Sequence, residues 1–334
     1  MNRINLVRAS SIFGIIVLIA VFVSCKEAKK TEEATTESSE EVMSSDEPFF
    51  EISLAQWSMH RMIWEGEADP YNFAKMANEW GFTGLEYVSA LYNPELADAN
   101  YSEEAMAAFV KRSNEEAEKY GMKNLLIMID GQGNLAVSDE KERNEAVERH
   151  HKWVDAAAAM GCHAIRVNLA GSDVPEEWTA NSIDGLTKLA TYAKDKNINI
   201  IVENHGGLSS NAAMVAEVMN KVNMSNCGTL PDFGNFCIKR KDPKDYGAGC
   251  AEMYDIYKGV EELMVHAKAV SAKSHNFDAD GNETEIDYVR MLQLVKDAGY
   301  SGHIGVEYEG SELSEEEGIL ATKELLLNAA KKVN

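Results

Sequence analysis

Three segments carry acidic side chains at the end of short apolar runs. Ile198-Asn199-Ile200-Ile201-Val202-Glu203-Asn204-His205-Gly206-Gly207 places Glu203 and His205 in phase on one side of an extended chain, where alternate residues share a face. Leu230-Pro231-Asp232-Phe233-Gly234-Asn235 sets Asp232 at the end of the next run, and Ile304-Gly305-Val306-Glu307-Tyr308-Glu309-Gly310 puts Glu307 and Glu309 in phase. A carboxylate at the end of a buried strand is costly without a partner, although any one of these acids alone reads equally well as a solvated loop residue. Three that converge require a counter-charge, and a hard divalent cation with oxygen ligands supplies it economically. The chemistry this permits is proton abstraction next to a carbonyl, with a carboxylate on either side of the substrate to take and return the proton.

The elements that must position these residues recur along the chain. Apolar, β-branched runs begin near Ile52, Gly84, Asn124, Ala164, Ile198, Gly228, Ala269 and His303. Helical patterns lie between them, over residues 70–80, 102–120, 144–160, 182–196, 211–221, 254–267, 287–298 and 314–332. Four of these stop at Gly81, Gly121, Gly161 and Gly299, where a left-handed residue closes a helix. Eight strands alternating with eight helices predict an α/β fold, a single-domain (β/α)8 TIM barrel over residues 49–334. A doubly wound open sheet would carry a Gly-rich phosphate turn after its first strand, and Leu54-Ala55-Gln56-Trp57-Ser58-Met59-His60 has none. Barrel sites lie at the carboxyl ends of the strands, which is where Glu203, Asp232 and Glu307 fall.

The sequence resembles the sugar phosphate isomerase/epimerase superfamily, the xylose-isomerase-like TIM barrels. The likeness runs from Ile52 to Leu327, through Ser53-Leu54-Ala55-Gln56-Trp57-Ser58-Met59-His60-Arg61, Gly84-Leu85-Glu86-Tyr87-Val88 and the three acidic segments above. It implies a Mn2+, Mg2+ or similar ion held by a Glu on strand five, an Asp on strand six, a His on strand seven and a Glu on strand eight. Glu203, Asp232 and Glu307 match three of those positions. Strand seven departs from the pattern: in Lys268-Ala269-Val270-Ser271-Ala272-Lys273-Ser274-His275, Ser271 stands where the ligand His is expected. His275, in phase four residues on, is the candidate fourth ligand, and His266 falls in a helical pattern. Asn235 stands where related sequences often have a His.

Around that centre, His205 is a candidate proton carrier or a supporting histidine. Lys273 would stabilise a developing oxyanion or neutralise Glu307. Trp57, with His60 and Trp64 nearby, would offer an aromatic wall to a sugar, and His60, Asn168 and Glu309 would bind its hydroxyls. His150 and His151, inside a helical pattern, read as surface residues. The resemblance implies a sugar isomerase or epimerase. The same apparatus would also serve a 3-keto-glycoside lyase or hydrolase acting by β-elimination, and the missing strand-seven His suits a non-catalytic sugar-binding lipoprotein.

Composition narrows the partners. The chain has 334 residues, 45% hydrophobic and 26% charged, with a formal net charge of −23. That balance excludes nucleic acid as the main partner, since phosphates require basic surface, and it favours neutral sugars over highly anionic ones. Arg3 and Arg8 precede an apolar run from Ile12 to Val23 that ends at Ser24-Cys25. This predicts a signal peptide over 1–24 with Cys25 lipidated, the run being about half of the ~20 residues that span a bilayer. Residues 25–48 read as an acidic disordered tether, so the protein is expected to be exported and held at a cell-envelope membrane through a lipid only. Of the remaining cysteines, Cys237 and Cys250 could pair, but isolated buried thiols are the expected state of Cys162, Cys227, Cys237 and Cys250. A homo-oligomer is a further expectation from the resemblance, with no interface marked in the sequence.

Overall fold

Eight parallel strands occur where the apolar runs predict them: β1 (Glu51–Ala55), β2 (Gly84–Val88), β3 (Lys123–Met128), β4 (Ala164–Val167), β5 (Asn199–Glu203), β6 (Cys227–Leu230), β7 (Val270–Ser274) and β8 (His303–Tyr308). They belong to a computed structural model that describes residues 47–242, 244 and 248–333. The expected signal peptide, Cys25 and nearly all of the acidic tether lie outside the described residues. Each strand pairs with its neighbour in sequence, and β1 also pairs with β8.

Between β6 and β7 the ladder is short but continuous with the rest. Thr229 lies opposite Ala267 and Asp232 opposite Ser271. Thr229 N–H donates to His266 O (3.0 Å), Lys268 N–H to Thr229 O (2.9 Å), Ser271 N–H to Pro231 O (2.9 Å) and Phe233 N–H to Ser271 O (3.1 Å). This seam closes the sheet into a barrel and removes its edges. β2 and β7 are buried at every residue, as expected of parallel strands covered by helices on one face and by the packed interior on the other.

Eight main helices alternate with the strands: α1 (Phe73–Glu79), α2 (Glu103–Tyr120), α3 (Glu140–Met160), α4 (Pro175–Lys194), α5 (Ala212–Val222), α6 (Ile256–Met264), α7 (Tyr288–Asp297) and α8 (Glu315–Ala330), with two short helical segments, His60–Trp64 and Asn93–Asp98, in the connections. Gly121 and Gly161 close α2 and α3 in the left-handed region, at φ 66° and 74°. α3 and α4 begin one to two turns earlier than the apolar periodicity predicts. Asp139 accepts the Glu142 N–H as the α3 cap, and Pro175 opens α4. Such first turns are polar and capped, so hydrophobic spacing does not reveal them.

Two expectations are corrected. Cys237 and Cys250 are not isolated thiols: they form a disulfide, on an antiparallel hairpin (Cys237–Arg240 with Cys250–Met253) that the sequence reading missed. Pairing across the hairpin brings their Cα atoms to 5.7 Å, within bridging range, while Cys162 and Cys227 stay free. His150 is buried in α3 with its Nδ1 on Ala146 O, not on the surface.

The end of β8 is set by a close approach from α8. Tyr308 is buried, and a Cβ on Gly318 would overlap its ring. Helix propensity alone would reward Gly318→Ala by about 1 kcal/mol, whereas overpacking a buried ring costs about 1–3 kcal/mol. The expected result is a net destabilisation on the order of 1 kcal/mol, measured as a lower urea midpoint. A midpoint at or above that of the parent would show that the contact does not constrain β8.

Candidate metal centre and active site

The turn after β5 shows how the local sequence frames the site. Gly206 and Gly207 both adopt positive φ (86° and 63°), so the chain swings away immediately after His205 without a Cβ clash. Glu203, the last residue of β5, is left pointing across the barrel mouth. Asn204 then ties β5 to β6: its amide donates to Asp232 O (2.9 Å) and its Oδ1 accepts the Asp232 N–H (2.8 Å). Asp232 Oδ1 in turn accepts the N–H groups of Gly234 and Asn235 (2.9 and 2.8 Å). One face of the Asp232 carboxylate is thereby fixed by backbone, and Oδ2 faces the cluster.

Glu203, Asp232 and Glu307 meet there, all buried, with ligand oxygens within 4.8 Å of one another. Among the described residues no other group of His, Cys, Asp and Glu side chains has such a spacing. Two cations balance them in part. Lys273 Nζ lies 2.7 Å from Glu309, 3.3 Å from Glu307 and 3.8 Å from Asp232. Arg166 Nε lies 2.8 Å from Glu203 Oε2, and its Nη1 is 2.9 Å from Asp130. The Arg166–Glu203 contact is close without being aligned as a hydrogen bond, so Glu203 Oε2 has no donor although it is buried. Asn235 donates to the other oxygen of Glu203 (3.1 Å).

The electrostatics follow from burial against these charges. Burial raises Glu203 to about 7, opposed by the Arg166 guanidinium and reinforced by Glu307. Asp232 is likewise pushed up to about 7 by burial, opposed by Lys273 and reinforced by Glu307 and Glu203. Burial would also raise Glu309, but the adjacent Lys273 ammonium more than offsets it and brings Glu309 down to about 2. Deeper in the barrel, burial raises Glu86 to about 8; it accepts from Ser53 (2.6 Å) and is neutral at pH 7. His205 is lowered by burial and by the Arg166 and Lys273 charges, which keeps its imidazole neutral.

These features fit a hard divalent ion. Five carboxylates (Asp130, Glu203, Asp232, Glu307 and Glu309) face two cations, and Glu203 Oε2, ion-paired to Arg166 but without a hydrogen bond, is a hard oxygen of the kind such an ion takes. The predicted fourth ligand stands apart. His275 lies just past the end of β7 and is not among the clustered ligand atoms. Ser271 occupies the corresponding place instead, its hydroxyl 2.6 Å from Asp232 Oδ2 and 2.8 Å from Glu307 Oε2. His266 belongs to the other end of the barrel, where its carbonyl accepts the Thr229 N–H.

Above the cluster opens a cavity of about 330 Å³ lined by Trp57, Asp130, Arg166, His205, Asn235, Arg240, Glu307 and Glu309, with Cys237 and two glycines. Of the residues expected to bind substrate, Trp57 and Glu309 line it. His60 does not: it stacks on Trp57 (4.4 Å, 11°) with its Nδ1 2.6 Å from Trp57 O. Asn168 acts one step back, donating to Asp130 (2.9 Å). Lys273 is sealed beneath the cavity among the carboxylates. Sequence reasoning missed Asp130, Arg166 and Arg240. A charged residue inside the apolar strand Ala164-Ile165-Arg166-Val167 was the signal for Arg166, since a buried cation demands a partner. A larger groove of about 920 Å³, between residues 277–289 and α8, lies on the outer wall away from these carboxylates.

The chain belongs to the xylose isomerase-like TIM barrel family, whose model matches residues 74–329. Solved structures share the fold at low identity. A D-tagatose 3-epimerase-like protein is 19% identical with a TM-score of 0.63, covering 85% of this chain and 98% of its own. A D-allulose 3-epimerase from Methylomonas sp. is 16% identical with a TM-score of 0.61, covering 85% and 99%. The IOLI protein, solved with a bound zinc atom, is 17% identical with a TM-score of 0.60, covering 85% and 99%. No curated protein matches the sequence.

The pKa directions set a pH dependence for cation binding. Below about pH 7, Glu203 and Asp232 hold protons that an ion must displace, at about 1.4 kcal/mol per proton for each pH unit; above it they are ionised and free. Mn2+ is therefore expected to raise Tm more at pH 8 than at pH 5.5. A Tm increment independent of pH would place the ion elsewhere.

Proposed function

We propose that this protein is a divalent-cation-dependent isomerase or epimerase of a neutral sugar or sugar derivative. The observation that carries the reading is the buried trio of Glu203, Asp232 and Glu307, of which Glu307 lines the mouth cavity, in a family whose fold-mates include proteins described as sugar epimerases. Glu203, Asp232 and Glu307 would hold the ion, Mn2+ or Mg2+ in kind, which when bound acidifies a C–H next to a carbonyl.

The chain's own residues then divide the work. Glu203 and Glu307, from strands three apart in the cyclic order, take a proton from one position of the sugar and return it at another. His205, neutral at the cavity wall, moves protons among substrate hydroxyls. Trp57 presents an aromatic surface to the sugar's C–H bonds, and the stacked His60 holds it in place. Glu309 binds a hydroxyl while it neutralises Lys273, and Lys273 in turn lowers the cost of the crowded carboxylates. We further propose export and lipid anchoring through Cys25. The Cys237–Cys250 disulfide supports an oxidising compartment.

Incubation of the Mn2+-loaded protein with a panel of neutral ketoses, aldoses and 3-keto-glycosides in D2O tests the reading. Deuterium is expected at a carbon next to the carbonyl of an intact sugar. Glu203→Gln is expected to slow that exchange by about 10²–10⁴-fold without loss of the folded state. Free aglycone without a deuterated epimer would replace this reading with β-elimination, and tight sugar binding without any exchange would replace it with a binding protein.

A further inference from the structure

Ser271 sits inside the carboxylate cluster, fully buried, with one hydroxyl between two acids from different strands. The barrel seam places it there. Its N–H donates to Pro231 O and its carbonyl accepts the Phe233 N–H, so it is locked directly opposite Asp232. Across the β7–β8 ladder its partner is Gly305, two residues before Glu307. The backbone is thus fixed, and the hydroxyl lies between Asp232 Oδ2 and Glu307 Oε2. Among the described residues, the His, Cys, Asp and Glu atoms gathered here are carboxylate oxygens alone, and neither His275 nor His266 joins them.

We propose, resting on the reading of this site as a divalent-cation centre, that the ion is held by oxygen alone. Glu203, Asp232 and Glu307 are its protein ligands. Ser271 is a positioning residue that ties the facing oxygens of Asp232 and Glu307 together, in the place where an imidazole would otherwise bond the ion. Two like-charged carboxylates at this spacing repel, and the hydroxyl between them donates its single proton to one or the other, which eases that repulsion without contributing charge. Outer hydrogen bonds of this kind set the orientation of metal-ligating carboxylates. The remaining coordination positions then fall to water and substrate oxygens, and the donor set suits Mg2+, Mn2+ or Ca2+ rather than ions that favour nitrogen and sulfur.

The test is Mn2+ binding to the full chain by titration calorimetry and EPR, with X-ray absorption on the Mn2+-loaded parent. Ser271→Ala, which only removes an oxygen, is expected to weaken Mn2+ about tenfold while the metal-free protein keeps a cooperative urea transition at a lowered midpoint. His275→Ala is expected to bind Mn2+ like the parent, and the absorption spectrum to show an oxygen shell without imidazole scattering. Imidazole scattering, a tenfold loss in His275→Ala, or unchanged affinity in Ser271→Ala would each overturn the proposal and leave the functional reading standing. Full Mn2+ affinity in Asp232→Asn would remove the centre itself, and the functional reading with it.

Discussion

Surplus negative charge buried at the barrel mouth is the constraint on which the rest of the structure depends. Five carboxylates crowd around one ammonium and one guanidinium, in surroundings where an uncompensated charge costs several kcal/mol. The protein answers with fixed devices. Asp232 takes two backbone N–H groups, Glu309 is paired to Lys273, and Glu86 beneath them is kept neutral by burial. Glu203 and Asp232 remain imperfectly compensated, and their pKa values rise for that reason. Carboxylates raised in this way cluster at functional sites, and a site that recruits a cation has a use for them.

The same residues close the barrel. The seam between β6 and β7 is the shortest ladder in the sheet, and its upper bridge joins Asp232 to Ser271. Fold and site are therefore coupled at one place: the backbone hydrogen bonds that remove the last sheet edges also set the distance between a carboxylate and the hydroxyl that bridges it to Glu307. A slip of β7 by one residue in this register would turn Ser271 away from the barrel interior and from Asp232. The close packing of α8 on Tyr308 holds β8 from the other side and so fixes Glu307, one residue earlier.

Much of this was legible in the sequence because the signals were periodic or terminal. All eight strands and the chain order of the barrel followed from β-branched runs spaced by helical patterns, and Glu203, Asp232 and Glu307 were readable as acids ending those runs. What stayed hidden depends on contacts between distant segments. The early starts of α3 and α4 are polar first turns, invisible to hydrophobic spacing. The disulfide needed the hairpin, whose strands are only four residues each and partly exposed. Asp130 sits in a loop after β3 and acquires meaning only from Arg166 and Asn168, 36 and 38 residues away. His275 was plausible on phase along one strand. Phase says which face a residue shares, but the strand has ended by residue 275, and beyond its end alternation no longer fixes direction.

The division between floor and wall also bears on the kind of substrate. The floor carries excess negative charge, so an anionic group would meet repulsion there unless the ion reversed it. The wall is mixed: Trp57 supplies an apolar face, His205 a neutral imidazole, and Asp130 with Arg166 a compensated pair. A small carbohydrate matches both regions, since its hydroxyls suit the carboxylates while its C–H face suits the indole. The hairpin that carries Cys237 and Arg240 to the cavity rim adds a second wall, stapled by the disulfide. The mouth is thus bounded on one side by Trp57 and on the other by the disulfide-linked hairpin strands, and recognition of a small ligand depends on the placement of such groups more than on a large buried area.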